Sequence, residues 1–338
     1  MRCNCDLVRK LNESARSGYL YAPIGESERC SLRRRLHCGE VIEPYPGLYV
    51  PADFHQKATP RAKAYMLIKT LSKRHPDWVF SSFSAALVHG LQVPYAHLSA
   101  LHVSVEPGGN RRRCAGKVSC HSSEALAAAQ RADIPPVTVV QGIRVTTVEH
   151  TVMECLCRSN FRDGLVVADS ALHCSLTTKS LVERQFLEWG RGKRGIRQAR
   201  ATLAYADGGS ESGGESLVRA AIIELGFAVP SLQVLVDDPL EPNNPKRVDM
   251  AWRLGDGSLV ILEVDGKIKY VQAANGREKT LYEMAATFSK ERRRESHLNM
   301  TGAKVLRCSV EDACDGEGFR DMLERAGVPR AMSAERPN

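Results

Sequence analysis

The period of the apolar positions changes repeatedly along this chain, and each change predicts an element. Leu7, Val8 and Leu11 share one helical face, and Ser27 to Cys38 reads as a second, arginine-rich helix with Gly39 as its stop. VIEPYPGLYVP, from Val41 to Pro51, then switches to short strands turning at Pro46-Gly47. Further on, Arg61 to Leu71 is helical, and Phe83 to Leu91 is a short helix ending at His89-Gly90. Leu101 to Val105 reads as a strand, and Pro107 to Gly109 as a turn before Arg111, Arg112 and Arg113. Val137 to Val140 and Ile143 to Val145 read as strands joined at Gln141-Gly142. Val148 to Leu156, Gly164 to His173 and Leu181 to Trp189 are helical.

The most informative stretch is KRVDMAWRLGDGSLVILEVDGK, residues 246 to 267. Val248, Met250 and Trp252 alternate with Arg247, Asp249 and Ala251, which is strand periodicity. Leu259 to Val264 is nearly all apolar, as in a strand buried on both faces. Asp249, Glu263, Asp265 and Lys267 are costly there unless a cation or a polar ligand accompanies them. Carboxylates can hold a hard divalent ion, and a lysine can stabilise an attacking hydroxide or the charge of a pentavalent phosphate. Glu263 and Asp265 share a strand face, about 7 Å apart. A two-residue hairpin at Asp256-Gly257 sets Asp249 opposite Val264, on the wrong face. A three-residue loop, Gly255 to Gly257 or Asp256 to Ser258, pairs it with Glu263 or Asp265 instead. The alternative is two strands with solvated acidic ends and a turn.

These residues resemble the PD-(D/E)XK nuclease superfamily, in the branch similar to the very-short-patch-repair endonuclease (the DUF559 type). The correspondence runs from GES at Gly214 to Ser216, through Val248-Asp249, to EVDGK at Glu263 to Lys267. It closes with the basic helix KERRRESHL, Lys290 to Leu298, and the strand AKVLRCS, Ala303 to Ser309, covering roughly the last 125 residues. The resemblance implies a restriction-endonuclease-like α/β domain over 215–328. Its metal would be Mg²⁺ on Asp249, Glu263 and Asp265, with Lys267 orienting the nucleophilic water. Glu215 would act through a water or as an outer ligand, and Arg293 and Arg294 would contact DNA. The family motif is acid, any residue, lysine. Here Glu263 is followed by Asp265, and lysine comes only at Lys267, so either Asp265-Gly266-Lys267 is the working triplet or the lysine role is displaced. Glu215 also has a plain alternative, as a first-turn acid interacting with its own helix dipole.

A basic helix followed by a β wing is a common way to enter a major groove. Residues 1–58 read as a winged-helix domain, about 45 residues of which resemble the amino-terminal domain of abortive-infection (AbiEi) type antitoxins, with Arg29, Arg33, Arg34 and Arg35 facing DNA. Residues 59–206 resemble the mixed α+β middle domain of the same proteins, and the Gly- and Ser-rich DGGSESGG, 207–214, reads as a linker. The solvated alternative for the basic helix is a face of a packing domain.

Charge sharpens this picture. The chain has 338 residues and a formal net charge of +8. Residues 1–209 carry 29 lysines and arginines against 18 acids, whereas residues 210–338 carry 18 against 21. The basic part is where a polyanion would first be held. Lys193, Arg197 and Arg200 fall on one helical side at i, i+4 and i+7 and extend the DNA-binding set. The eleven cysteines lack metal-site spacing: the closest pairs are Cys3-x-Cys5 and Cys155-x-Cys157. An odd count without a signal peptide predicts reduced core thiols and a cytoplasmic protein. His89, His97, His102 and His121 match no metal motif and read as structural. No run approaches about 18 apolar residues, so no membrane partner is expected. The expected function is a DNA-binding protein with a metal-dependent endodeoxyribonuclease domain. The alternative is a non-catalytic, antitoxin-like regulator with a cognate toxin as partner. A homodimer is compatible with either.

Overall fold

The computed structural model describes residues 5–105, 118–122, 136–265 and 281–331. The fold is mixed α/β and divides into two compact units, Met1–Cys157 with Ser180–Arg194, and Arg158–Lys179 with Gly195–Asn338. Residues 1–58 and most of 59–206 fall in one unit, while two stretches, 158–179 and 195–206, join the carboxy-terminal one.

In the first unit, α1 (Cys5–Arg16) and α2 (Glu26–His37) precede a hairpin of β1 (Val41–Tyr45) and β2 (Leu48–Pro51). Leu7 and Leu11 of α1 bury against Leu32, Val41 and Tyr49, so the apolar faces read from the sequence do meet. Gly47 takes φ +74° at the turn, a left-handed value that an L side chain resists. The short α3 (Ala52–Lys57) leads to α4 (Pro60–Arg74), whose first turn is capped by the Thr59 hydroxyl accepting from the Ala62 N–H.

A five-stranded sheet follows, ordered β5-β4-β3-β7-β6. Its members are β3 (Val79–Phe80), β4 (Leu101–Val105), β5 (Val118–Ser122), β6 (Val137–Val140) and β7 (Ile143–Thr146), with α5 (Ser82–Val88) between β3 and β4. Gln141 and Gly142 both take positive φ, 49° and 79°, as a two-residue hairpin turn requires. Arg111, Arg112 and Arg113 lie outside the described residues. His89 is held by the Thr146 carbonyl at 2.7 Å, and His102 by His121 at 2.8 Å, in keeping with a structural role. The helices α6 (Val148–Arg158), α7 (Phe161–His173), α8 (Lys179–Trp189) and α9 (Ile196–Tyr205) come next.

The second unit is built on α10 (Gly213–Glu224) and a sheet of β8 (Ser231–Val236), β9 (Lys246–Arg253), β10 (Leu259–Val264) and β11 (Lys304–Cys308). The order is β11-β10-β9-β8; β9 is antiparallel to both neighbours, and β11 runs parallel to β10. The parallel pair needs a crossover, supplied by α11 (Leu281–Asn299). The unit closes with α12 (Val310–Cys314) and α13 (Glu317–Ala326). Val218 and Ile222 of α10 pack with Met250, Trp252, Val260, Leu262 and Phe319. Ala251, Ile261, Leu298 and Val248 form a separate cluster. Val248 thus parts company with Met250, two residues on, so alternation slips at Asp249.

Part of the stretch 207–214 is packed against its surroundings. The Asp207 N–H donates to buried Asp169 at 2.7 Å, and Ser210 is buried. A Cβ at Gly209 would sit 2.9 Å from the Leu232 side chain, so glycine here permits close packing rather than flexibility. Cysteine also departs from expectation. Cys155 and Cys308 are buried, but Cys30, Cys38, Cys174 and Cys314 are exposed, and Cys120 is disulfide-bonded. Among the described residues, no helix is long and apolar enough to cross a membrane.

Candidate active site

The β9–β10 turn decides whether the acids can meet. The Leu254 N–H donates to the Ser258 carbonyl at 2.8 Å, closing a three-residue loop of Gly255, Asp256 and Gly257. Gly257 takes φ +85°, and the Asp256 carboxylate accepts from the Ser258 N–H at 2.9 Å and its hydroxyl at 2.6 Å. This is the odd loop that the acid pairing required. The ladder runs from Leu259↔Arg253 to Leu262↔Met250 and stops one step before Asp249 would face Glu263. There the Asp249 carboxylate accepts the Val264 N–H at 2.9 Å, so the side chain replaces a ladder bond.

Glu215 comes to the same place from α10. Its N–H donates to the Ser212 hydroxyl at 3.2 Å, and the hydroxyl donates back to Glu215 at 2.8 Å. The carboxylate also accepts the Glu211 N–H at 2.9 Å, so its first-turn role is real. Capping does not account for everything, because Glu215 is buried and its pKa is raised. Burial is the main cause; the Glu211 and Ser212 hydrogen bonds oppose it, and the Asp249 charge adds to it. A further neighbour was missed from the sequence: the Gln233 amide donates to Glu215 at 3.2 Å. Gln233 takes φ +51°, an uncommon value for a non-glycine, and its pair with Asp249 is the one skipped in the β8–β9 ladder. Asp265 and Asp249 also act together on the Cys308 thiol, which burial first and then Asp312 and these two acids push up to about 12. Glu215, Asp249 and Asp265 therefore gather around the carboxy-terminal end of β10.

Glu263 goes elsewhere. Its carboxylate pairs with Arg294 of α11 at 2.8 Å, and Arg294 also donates to the Arg247 carbonyl. In this arrangement Glu263 is paired with an internal cation, and Arg294 is engaged with the sheet. Asp265 sits 3.4 Å from Arg307, which is 3.7 Å from Glu295. Lys267 lies outside the described residues. Arg293 is 74% exposed and only 3.6 Å from Glu241. Arg197 and Arg200 are exposed on α9, but Lys193 precedes that helix and belongs to the other unit, so the three do not share one helical side. The glycine cap at Gly195, φ +83°, starts the helix after Lys193. On α2, Arg29, Arg33 and Arg34 are exposed, and Arg35 pairs with Glu40.

A metal-capable group occurs at a place not foreseen. Among the described residues, Asp238, Glu241 and His297 bring ligand atoms within 4.8 Å of one another and could hold a metal ion. Glu215, Asp249, Glu263 and Asp265 include no such trio. In the trio, His297 Nδ1 lies 2.7 Å from Asp238, and Lys246 lies 3.1 Å from Asp238 and 2.7 Å from Glu241. A lysine ammonium thus already sits between the two acids. Burial works against the Asp238 charge, but the bonds from His297, the Leu240 N–H and Lys246 outweigh it and hold the carboxyl well below the ordinary 3.8. Because the folded pKa is depressed, its stabilisation is full above pH 3.8 and is lost as pH falls through the folded value. Asp238→Asn is expected to destabilise the protein at neutral pH and to flatten the acid limb of a melting-temperature profile. An unchanged acid limb would remove Asp238 from that role. The sequence offered only His297 in a basic helix as a signal, with nothing to link it to Asp238.

No family model matches the chain. It is similar to an uncharacterised protein of Mycobacterium tuberculosis in strain CDC 1551, and equally to one in strain H37Rv, at 37% identity over 91 residues. The match takes in 26% of this chain, and the chain spans 32% of the length of these relatives.

Proposed function

We propose that the second unit carries a metal-dependent endodeoxyribonuclease site and that the amino-terminal helices and hairpin act as a winged helix holding DNA. One observation carries the catalytic part. Glu215 and Asp249 lie close enough to repel, and among the described residues no cationic side chain pairs with either. Two carboxylates without a cationic partner are open to a divalent cation. The donor chemistry suits Mg²⁺, which takes hard oxygens, binds through one or two carboxylates and keeps several waters. Glu215 and Asp249 would hold it, with Asp265 nearby. A bound divalent ion would acidify a water and offset charge on the phosphate. Gln233 orients Glu215, and the Val264 N–H orients Asp249.

The order of elements supports the resemblance: a helix bearing Glu215, strands bearing Asp249 and Glu263, the basic helix α11, then β11 parallel to β10. The test is incubation of the full chain with single- and double-stranded DNA. Cutting is expected with Mg²⁺ or Mn²⁺, and binding without cutting with Ca²⁺, whose looser shell positions water poorly. No cutting of either substrate with either metal would overturn the nuclease reading.

A second reading has its own support. Arg294 on Glu263 and Arg307 near Asp265 neutralise two of the four acids from within. That arrangement suits a nuclease fold retained as a binding platform in an antitoxin-like regulator with a cognate toxin. Specific promoter binding without cleavage would favour it.

A further inference from the structure

We propose that DNA is held by a two-sided cleft in which the carboxy-terminal turn of α4, through Lys73 and Arg74, contacts backbone phosphates opposite Arg29 and Arg33 of α2. This rests on the DNA-binding reading above and adds to it an element that the sequence placed in a separate middle domain. A cleft of about 1140 Å³ is lined by all four of these cations. Its acidic members are Glu26 and Glu43. Glu43 is engaged by the Gly47 N–H at the hairpin turn. Glu26 is exposed and lies 3.5 Å from Arg29 and 3.7 Å from Arg33, pairs that solvent screens and that contribute little. Positive charge is therefore in excess, and among the described residues neither Lys73 nor Arg74 forms a salt bridge with a carboxylate.

Local structure strengthens the assignment. Lys73 and Arg74 occupy the last turn of α4, where the helix dipole favours cations. The Lys73 ammonium sits 3.8 Å from the centroid of the Tyr19 ring, and Lys69 sits 4.3 Å from it. The aromatic ring thus holds the ammonium of an exposed lysine in place at the cleft. The partner is duplex rather than single-stranded DNA. Single strands are gripped by stacking bases on open aromatic faces. Here Tyr49 is buried, and the Tyr19 ring is covered by two lysines. What the cleft offers is charge for a backbone, which is the currency of duplex positioning.

The experiment measures binding of the full chain to a random-sequence DNA duplex by fluorescence anisotropy across a salt series. Lys73→Ala with Arg74→Ala is compared with Lys57→Ala with Lys63→Ala, which removes the same charge away from the cleft. Lys57, Lys73 and Arg74 are exposed and Lys63 is half-buried, and melting curves check that each variant folds. The cleft pair should weaken binding and lower the slope of log K against log salt by about 2, near 0.9 per lost phosphate contact. The control pair should leave the slope nearly unchanged. If the cleft pair matches the control while Arg29→Ala with Arg33→Ala loses affinity, the α4 proposal fails and the winged-helix reading stands. If neither cleft pair matters, both fail. Tighter binding to single-stranded DNA than to duplex would overturn the assignment of partner.

Discussion

Arg219→Ala is expected to cost about 3–5 kcal/mol, the scale for removing one partner of a buried ion pair. Arg219 and Asp169 are 1% and 0% exposed. The guanidinium donates to both Asp169 oxygens at 2.7 and 2.6 Å and to the Tyr205 carbonyl at 2.7 Å. It thereby ties together α7, α9 and α10, and Asp169 in turn accepts the Asp207 N–H that starts the packed 207–214 stretch. Without the arginine, a carboxylate remains in the interior with only neutral donors. The pH dependence tests the cause. Burial already raises the Asp169 pKa, with Arg219 as the main opposing influence. A raised folded pKa means stability that is full below the ordinary 3.8 and lost as pH rises through the folded value. Removing Arg219 should widen that loss, so the variant should recover part of its stability in acid. Denaturant melts at pH 5 and pH 8 would measure it. Equal destabilisation at both would point to lost packing by the arginine stem instead. The double replacement Asp169→Leu with Arg219→Met should be far less harmful than Arg219→Ala, short of the roughly 1–3 kcal/mol for the orphaned Asp207 N–H.

This pair also shows what could be read from the chain and what could not. Helix and strand periods were legible because burial repeats along a single element: Leu7 and Leu11, or Met250 and Trp252, announce a face without knowing what covers it. The β9–β10 loop was legible as a choice between even and odd, because register follows from counting. Asp169 in LVVADSAL and Arg219 in LVRAAII were each a lone charge in an apolar helix, a signal that some partner existed but not which. Their pairing across 50 positions lies within the unit that joins residues 158–179 to the carboxy-terminal part of the chain. Composition could not show the packing within 207–214, since glycine serves close approach as readily as flexibility. Spacing alone could not give the partner of Glu263. A shared strand face places Glu263 near Asp265, but only the crossover helix decides that Arg294 reaches Glu263 first. Gln233 left no trace in sequence because its role depends on a single positive φ.

Asp249→Asn should reduce Mg²⁺-dependent cleavage by at least about a hundredfold, the upper scale for losing even outer-shell partners of a metal ligand. The asparagine oxygen can still accept the Val264 N–H, so the hairpin end should survive. Burial is the main cause that raises Glu215, and the Asp249 charge adds to it. Removing one charge should therefore leave the metal-free melting temperature unchanged or higher. In the wild type, Mg²⁺ at about a hundred times its Kd should add about 2.7 kcal/mol, and the variant should lose that increment. Glu263→Gln provides the contrast, because Arg294 already holds Glu263. It should weaken a fold contact and leave most of the Mg²⁺ increment intact. Lys267→Ala addresses the departure from the family motif: loss of cutting with retained metal stabilisation would make Asp265-Gly266-Lys267 the working triplet. The decisive result is the pairing of two readouts for Asp249→Asn. A variant that loses cleavage because it is misfolded will melt lower without metal. A variant that has lost a ligand will melt as well as the parent and ignore Mg²⁺. If it still cuts, or still gains stability from Mg²⁺ as the parent does, Asp249 does not hold the ion and the proposed site is wrong.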